Sequence, residues 1–345
     1  IASTWCIPSA FQPDPEAVTM SRSVTACSRY ATGVSSVISK ALTALNGPTF
    51  AAYQPLLEEA GITGLFHKTG QLFVYHTRQN MEKDTLTRDL RSASGASVEY
   101  LDSKSIQDLE PALAPVFEAG YLMPDNGHCK DPLGLAQALV QMFVDKGGRL
   151  LKTEVQDFVF QTEGITGLLT ASGQLPATKV VVAAGIWSRG LCLKLGWRVP
   201  LESHRGYHAT LEEPGVSVER MCFLVDYKFA VTPMAMGLRI AGTVELAGLE
   251  EPPNYNRARK LVDVSRKLFP GLCTEKYTQW MGHRPCLPDS LPVIGASPRH
   301  PGVYFAFGHG HQGFVGASQT AKVIDELIRG SELAMALQPF RIDRF

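Results

Sequence analysis

The segment that most constrains the fold is Trp280 to Arg329 of this 345-residue chain. Within it, Val303-Tyr-Phe-Ala-Phe307 is an apolar, aromatic run between Pro301-Gly302 and Gly308, which predicts a short buried strand. Gly308-His-Gly-His-Gln-Gly313 then turns the chain, and apolar residues between Ala321 and Ile328 recur at the spacing of one helix face. The segment therefore predicts a strand, a glycine loop and a helix, in that order.

The glycines of this loop allow three interpretations. Gly308, Gly310 and Gly313 match the G-x-G-x-x-G dinucleotide pattern, in which backbone amides and a helix N-terminus face a pyrophosphate. The full pattern requires a second strand with an acidic residue about 20 residues further on. Only 32 residues follow Gly313, so a nicotinamide-dependent dehydrogenase is disfavoured. The helix N-terminus can instead stabilise a different anion, or the glycines can simply form a tight turn.

Earlier parts of the chain predict an α/β fold. Leu133 to Lys146 has the periodicity of an amphipathic helix, and Leu150 to Phe158 reads as a strand. Lys179 to Ala184 is a continuous apolar run of the kind buried in parallel sheets, followed by Gly185 and a helix that opens at Trp187. Together, these helices and strands predict half of a nucleotide-binding sheet.

A different pattern begins after this region. Between Pro200 and Leu246, short segments alternate apolar and polar residues and are separated by turns. Such alternation is typical of antiparallel strands with one buried face. We therefore predict an α/β chain in which an incomplete Rossmann-like unit is joined to a second domain built on an antiparallel sheet.

Composition excludes several classes of protein. The chain is 45% apolar and 19% charged, with 33 basic and 33 acidic residues, and no run of like charge indicates nucleic-acid binding. Its seven cysteines lack any C-x-x-C, so neither a zinc site nor a disulfide framework is indicated, and a reducing cytoplasm fits best. No apolar stretch approaches the length of a transmembrane span, and Ile1 to Ala17 lacks the features of a signal peptide. We expect a cytoplasmic protein, or one held peripherally at the inner membrane.

Several short motifs carry a resemblance to a known family. They are Asp125-Asn-Gly-His128 with Asp131-Pro-Leu133, Val180 to Ser188, Arg205-Gly-Tyr-His208, Leu238 to Glu245, Arg284-Pro with Asp289 to Gly295, and Gly308 to Gly313. In their order and spacing, the chain resembles the D-amino-acid oxidase and dehydrogenase family of FAD-dependent amine oxidoreductases, which includes glycine and sarcosine oxidases. It is most similar to the bacterial D-amino-acid dehydrogenases. The resemblance covers nearly the whole chain.

One departure from the family pattern is large. Family members begin with a strand, a G-x-G-x-x-G turn and a helix that hold the ADP half of FAD, whereas Ile1 to Ala17 resembles the sequence that follows this unit. A βαβ unit takes about 30 or more residues. We therefore expect a truncated or incompletely represented enzyme, or alternatively a cofactor-free, non-catalytic binding subunit of the same fold. The resemblance implies an FAD-binding domain of residues 1–20, 126–198 and 276–345, with its first βαβ unit absent, and a substrate-binding domain of residues 21–125 and 199–275.

The resemblance also implies a reaction. A family member would oxidise the C–N bond of a D-amino acid, a cyclic imino acid such as proline or hydroxyproline, or an opine, by hydride transfer to flavin N5. The resulting imine would hydrolyse to a 2-oxo acid. Arg284 matches the arginine that binds the substrate carboxylate, which a planar guanidinium can do bidentately. Tyr207 matches a tyrosine often found on the pocket wall. A structural arginine and an ordinary half-buried strand tyrosine are the alternatives for these two residues.

The family's cofactor contacts can be transferred to matching positions. FAD is the implied cofactor, and the residues implied to hold it are Val155, Ala184, Gly185, Trp187, Gly308, His309, Gly310, Gln312 and Gly313, with Trp5 and Cys6 also near the flavin. His309 and His311 alternate in a loop without a cluster of acidic residues or cysteines in the sequence around them, so we predict no metal site. We also predict no catalytic base, because a desolvated amino group can lose its proton unaided. The electron acceptor, whether oxygen, a quinone or a protein, is left open.

Overall fold

The computed structural model describes residues 32–85 and 94–345 of the chain. Predictions that concern other residues, among them the flavin contacts of Trp5 and Cys6, lie outside the described residues. The helices are α1 (Thr32–Asn46), α2 (Thr49–Glu59), α3 (Arg78–Lys83), α4 (Ser103–Leu109), α5 (Pro132–Asp145), α6 (Ser188–Lys194), α7 (Asn256–Leu268) and α8 (Gly313–Arg329).

Strands alternate with these helices along the chain. They are β1 (Phe66–His67), β2 (Gln71–Tyr75), β3 (Glu99–Asp102), β4 (Ala119–Met123), β5 (His128–Cys129), β6 (Val155–Gln161), β7 (Gly164–Thr170), β8 (Gly173–Pro176), β9 (Val180–Val182), β10 (Glu202–Leu211), β11 (Met221–Leu224), β12 (Phe229–Met234), β13 (Gly237–Glu245), β14 (Tyr277–Cys286), β15 (Val293–Ala296) and β16 (Val303–Phe307). The chain divides into two compact units. Unit 1 contains residues 32–53, 149–204 and 284–345, and unit 2 contains residues 54–148 and 205–283 among those described.

Unit 1 is built around a three-stranded sheet in the order β15-β16-β9. β16 is antiparallel to β15 and parallel to β9, with Tyr304 opposite Val181. Alternate residues of these short strands are buried because side chains of a strand point to opposite faces of the sheet in turn. One core cluster contains Val182, Phe305 and neighbouring apolar residues, and a second packs Val323 of α8 against α1 and β15. The separate strands β6, β7 and β8 form antiparallel hairpins.

Unit 2 contains a larger mixed sheet in the order β14-β10-β13-β12-β11-β2-β4-β3. From β10 to β3 in this order, neighbouring strands are antiparallel, except for β11 and β2, which are parallel. All five residues of β2 are buried, because this strand lies in the middle of the sheet and is covered on both faces. Helix α7 packs on this sheet through apolar residues spaced three and four apart, among them Leu261 and Leu268.

The predicted α/β class with a second sheet unit is confirmed. The sheet of unit 2 was expected to be antiparallel, but its strands β11 and β2 are parallel. The predicted strand at Val303–Phe307 and the helix near Leu133 to Lys146 are present. The strand predicted from Leu150 instead begins at Val155. Leu150 and Leu151 are exposed and lie outside the strand pairings of the described residues. Every helix in the part of the chain that the structure describes is too short or too polar to span a bilayer.

Candidate active site at the edge of the unit 1 sheet

The parallel pairing of β9 and β16 brings two predicted cofactor segments to one edge of the unit 1 sheet. Because parallel strands end on the same side, Ala184 and Gly185 after β9 leave the sheet beside Gly308, which follows β16. In open α/β sheets, ligands bind in the crevice outside the carboxyl ends of the strands. This edge is therefore the candidate site for a nucleotide cofactor.

The turns at this edge depend on glycine. Gly185, Gly308 and Gly310 have φ values of 56°, 83° and 55°, in the left-handed region that side-chain-bearing residues rarely adopt. Gly313 then begins α8, whose 17 residues give it a full macrodipole, and Gln312 places no side-chain cap on its N-terminus. The positive end of α8 thus lies in the loop predicted to face the flavin.

His309 supports this loop from inside. Its Nε2 lies 2.9 Å from Thr320 Oγ1 of α8, and Gly316 allows the close approach because a Cβ there would lie 3.4 Å from the imidazole. Burial lowers the pKa of His309 to about 4, so the ring is neutral at neutral pH. The structure therefore shows His309 packed against α8, and its predicted contact with the flavin stays a prediction.

Helices α1 and α2 fix the start of α8 through contacts that sequence reasoning missed. The fully buried Asn46 donates from Nδ2 to Gln312 Oε1. Thr49 Oγ1 donates to the Val315 carbonyl at 2.9 Å, and Tyr53 OH donates to the Phe314 carbonyl at 2.8 Å. These partners lie more than 260 residues apart in the sequence, so no local pattern could have identified them.

Arg284 lies close to a cluster of three other side chains in unit 1. Nitrogen or sulfur atoms of His204, Cys286 and His311 all lie within 4.8 Å of one another. Cys286 is buried, His204 is half-buried and His311 is exposed. Sequence reasoning named Arg284 but not His204 or Cys286. The available signal for Cys286 was strand alternation, which places residues two apart on one face.

The electrostatics of this cluster centre on the guanidinium. Burial, together with the charge of Arg284, lowers the pKa of His204, and the same causes with His204 itself lower the pKa of His311 to about 3. Burial also lowers the pKa of Arg284, although a guanidinium remains charged at any physiological pH. At neutral pH Arg284 is therefore charged, and the imidazole rings of His204 and His311 are neutral.

Tyr207, the other predicted catalytic residue, lies in unit 2 and is 1% exposed. Its hydroxyl donates to Glu245 Oε2 and accepts from the Asn254 backbone N–H at 3.0 Å. Arg205 lies on the same side and also reaches Glu245 Oε2, at 3.7 Å. Arg205 and Tyr207 thus both contact Glu245, while the predicted role of Tyr207 on the pocket wall stays a prediction.

The remaining predicted cofactor residues can be compared with what FAD requires. Val155 opens β6 and is half-buried, and Trp187 is 64% exposed beside the Gly185 turn. Next to it, the hydroxyl of Ser188 is fully buried without a hydrogen-bond partner among the described residues. Glycine turns, a helix N-terminus and an unsatisfied hydroxyl are suitable partners for a phosphate-containing cofactor. The described residues therefore fit FAD. Such a fit is expected of an α/β oxidoreductase that binds a nucleotide cofactor.

Comparison with known proteins identifies the family. Residues 6–327 match the family described as FAD dependent oxidoreductase (DAO), and the chain belongs to this family. It is 33% identical over 297 residues to a D-amino-acid oxidase of Bradyrhizobium diazoefficiens, covering 85% of this chain and 70% of that protein. It is 30% identical over 244 residues to a D-amino acid dehydrogenase of Paramagnetospirillum magneticum, covering 69% of this chain and 57% of that protein.

A solved structure shows the same fold. Glycine oxidase from Geobacillus kaustophilus superposes with a TM-score of 0.75 at 23% identity, covering 85% of this chain and 81% of that one. The predicted family, the oxidoreductase class and FAD as the cofactor are thus confirmed. Because the matches span only part of each relative's length, the substrate and the electron acceptor of this chain are matters for proposal.

Proposed function

We propose that this protein oxidises the C–N bond of a D-amino acid or a cyclic imino acid. The product would be an imine, which water hydrolyses to a 2-oxo acid. The proposal is supported by relatives named D-amino-acid oxidase and D-amino acid dehydrogenase. The observation that carries it is Arg284, a half-buried guanidinium beside His311 of the glycine loop, with two neutral imidazoles and a thiol as its neighbours.

The cofactor would be held by the residues at the edge of the unit 1 sheet. These are Val155, Ala184, Gly185 and Trp187 on one side and Gly308, His309, Gly310, Gln312 and Gly313 on the other. When bound, FAD would supply the two-electron acceptor for the hydride that leaves the substrate Cα. The buttressing contacts from Asn46, Thr49 and Tyr53 would keep the glycine loop in one conformation as substrate and product exchange.

Arg284 would bind the substrate carboxylate. Its planar donors match two carboxylate oxygens, which orients the substrate as well as holding it. The same positive charge, with the desolvation of the site, lowers the pKa of a nearby ammonium group. The substrate amine would therefore lose its proton to solvent before the C–H bond breaks, and no protein base is required.

The imidazoles of His204 and His311 would contribute without charge. Because their pKa values are lowered, both rings stay neutral and can donate or accept a hydrogen bond. A neutral ring does not compete with Arg284 for the substrate carboxylate, and it does not repel the ammonium group of an arriving amino acid. We propose that these rings border the space in which the carboxylate is bound.

The proposal is tested with the purified flavin-bound protein under anaerobic conditions. D-alanine, D-proline and D-hydroxyproline are added in turn, and bleaching of the yellow flavin absorbance is followed. The matched controls are the L-enantiomers, which should bleach it much more slowly. Protein that holds flavin but is reduced by none of these compounds would contradict the proposal.

The same sample can identify the electron acceptor. We propose a quinone or protein acceptor, because one relative is named as a dehydrogenase, although the other is named as an oxidase. After bleaching, a soluble quinone should restore the yellow colour faster than air does. Faster recovery in air would assign the protein to the oxidases and leave the substrate proposal untouched.

A further inference from the structure

The side chains around Arg284 have a second chemical property, which the proposed oxidation does not use. His204, Cys286 and His311 come from three separate segments of unit 1, namely β10, the end of β14 and the glycine loop. Their donor atoms lie within 4.8 Å of one another. The two imidazole rings have centroids 6.4 Å apart and planes inclined at 75°. Three converging donors of this type constitute the first part of a coordination shell.

The donor set selects a class of metal ion. Two imidazole nitrogens and a thiolate suit Zn²⁺, whereas Mg²⁺ and Ca²⁺ require oxygen ligands. With Zn–N of about 2.0 Å and Zn–S of about 2.3 Å, the ligands of a tetrahedral ion are roughly 3.5 Å apart. The observed limit of 4.8 Å is close enough for side-chain rotation to bring the three atoms to those positions.

One nearby charge opposes binding, and one ligand offsets it. Metal ions bind imidazole in its neutral form and cysteine as the thiolate. The Arg284 guanidinium repels a dication, but the Cys286 thiol releases its proton on binding a metal, and the thiolate offsets that repulsion. Three protein ligands leave a fourth position for an anion, as in zinc sites that exchange their fourth ligand.

We propose that His204, Cys286 and His311 form a Zn²⁺-binding site, and that the bound ion inhibits the enzyme by occupying the space beside Arg284. The first part rests on the geometry of unit 1 alone, and the inhibition rests on the proposed function. Sequence analysis predicted no metal here because it considered His309 with His311. In the structure His309 is instead directed at Thr320, and the partners of His311 come from distant segments.

The site is tested by titrating the purified full chain, first freed of metal, with Co²⁺ as a spectroscopic substitute for Zn²⁺. One equivalent should produce a thiolate-to-cobalt charge-transfer band and the visible bands of a tetrahedral ion. Cys286→Ser should abolish the charge-transfer band and weaken Zn²⁺ binding at least about 100-fold, measured by competition with a coloured chelator. His311→Gln, at an exposed position, should keep that band and weaken binding about tenfold or more.

The matched control is Cys273→Ser, which removes an exposed thiol in unit 2 and should bind Co²⁺ as the parent chain does. A charge-transfer band that persists in Cys286→Ser, or an affinity that His311→Gln leaves unchanged, would overturn the site. So would a parent chain that shows no such band at all. Mg²⁺ should neither displace Co²⁺ nor compete for the site.

Turnover measurements separate this proposal from the proposed function. In the parent enzyme, Zn²⁺ should raise the apparent KM for the amino acid, and Cys286→Ser should need at least about 100-fold more Zn²⁺ for the same effect. Binding by the Co²⁺ assay without any effect on turnover would overturn the inhibition. A chain that binds Co²⁺ but oxidises no amino acid would overturn the proposed function and leave the metal site standing.

Discussion

Each unit contains an arginine at a polar cluster, and the two arginines have different surroundings. In unit 2, Arg205 is completely buried, donates to the carbonyls of Gly248 at 3.0 Å and Pro252 at 3.3 Å, and lies 3.7 Å from Glu245. In unit 1, Arg284 is half-buried, and the three side chains gathered near it are two neutral imidazoles and a thiol. The first guanidinium lies among carbonyl and carboxylate oxygens, and the second lies near two imidazole rings and a thiol.

The difference agrees with a structural role for Arg205 and with the carboxylate-binding role that we propose for Arg284. A buried charge is tolerated only when it is paired and hydrogen-bonded, and Arg205 uses those bonds to hold the loop after β13 against the sheet. Tyr207 belongs to the same network through Glu245. We propose that Arg284 instead binds the substrate carboxylate, which a planar guanidinium can do with two hydrogen bonds.

The largest expected effect is on the stability of unit 2. Glu245→Ala removes the carboxylate that Arg205, Tyr207 and Arg257 share, and it leaves a fully buried guanidinium without its counter-charge. We expect the free energy of unfolding to fall by about 3 kcal/mol, the usual cost of breaking one side of a buried ion pair. The measurement is urea denaturation followed by tryptophan fluorescence.

The control for this prediction is Asp325→Ala, which breaks the exposed pair of Asp325 with Arg329 at 2.8 Å. Exposed pairs of this kind contribute little to stability because solvent and salt screen them, so we expect almost no loss. Equal losses in the two variants would show that the Glu245 network is not a buried structural element, and the contrast between the two arginines would lose its basis.

The next effect concerns catalysis. Arg284→Met should lower kcat/KM about 100-fold, mainly through KM, because two charge-assisted hydrogen bonds to the substrate carboxylate are lost. The free energy of unfolding should change little, and flavin should remain bound. Steady-state kinetics and the visible spectrum provide both measurements.

Tyr207→Phe serves as the comparison for Arg284→Met. Because its hydroxyl bonds Glu245 and Asn254, its removal should cost about 1 to 2 kcal/mol of stability. If Tyr207→Phe lowers kcat/KM as strongly as Arg284→Met and leaves stability unchanged, the tyrosine acts on the substrate, and its assignment to the structural network is wrong.

The smallest effect is a pH dependence that both units should share. The pKa values of His309 in unit 1 and His128 in unit 2 are lowered from 6.5 to about 4, chiefly by burial. The unfolded chain therefore binds protons more readily, and stability should fall as pH decreases from 6.5 towards 4. Each ring contributes only part of the overall loss of stability in acid, because the carboxylates that are paired in the folded chain are protonated over the same range.

His309→Gln and His128→Gln should each flatten the decline in the free energy of unfolding between pH 6.5 and 4. Chemical denaturation at a series of pH values measures the slope. If only one variant flattens this decline, the two units differ in how strongly they keep their buried histidine from taking up a proton. Unchanged slopes in both would remove these rings as the cause of the acid sensitivity.

Sequence patterns predicted the elements whose burial is set by their own residues. The strand Val303–Phe307 was located to the residue, because an apolar run bounded by glycine and proline has few other stable conformations. Helix α7 also buries residues at helical spacing, namely Ala258, Leu261, Val262 and Ser265, although no helix was predicted there. The strand expected from Leu150 begins five residues later, because pairing with β7 depends on register and not on hydrophobicity alone.

The sequence by itself determined the family, the cofactor class, the glycine loop before α8 and the candidacy of Arg284, since each depends on residue types at short spacing. Only the tertiary structure decided which side chains meet there. His204, Cys286 and His311 converge because three distant segments of unit 1 meet at one place, and Tyr207 contacts Glu245 because β10 pairs with β13. Such contacts depend on how strands pair and segments pack, which short-range spacing does not encode.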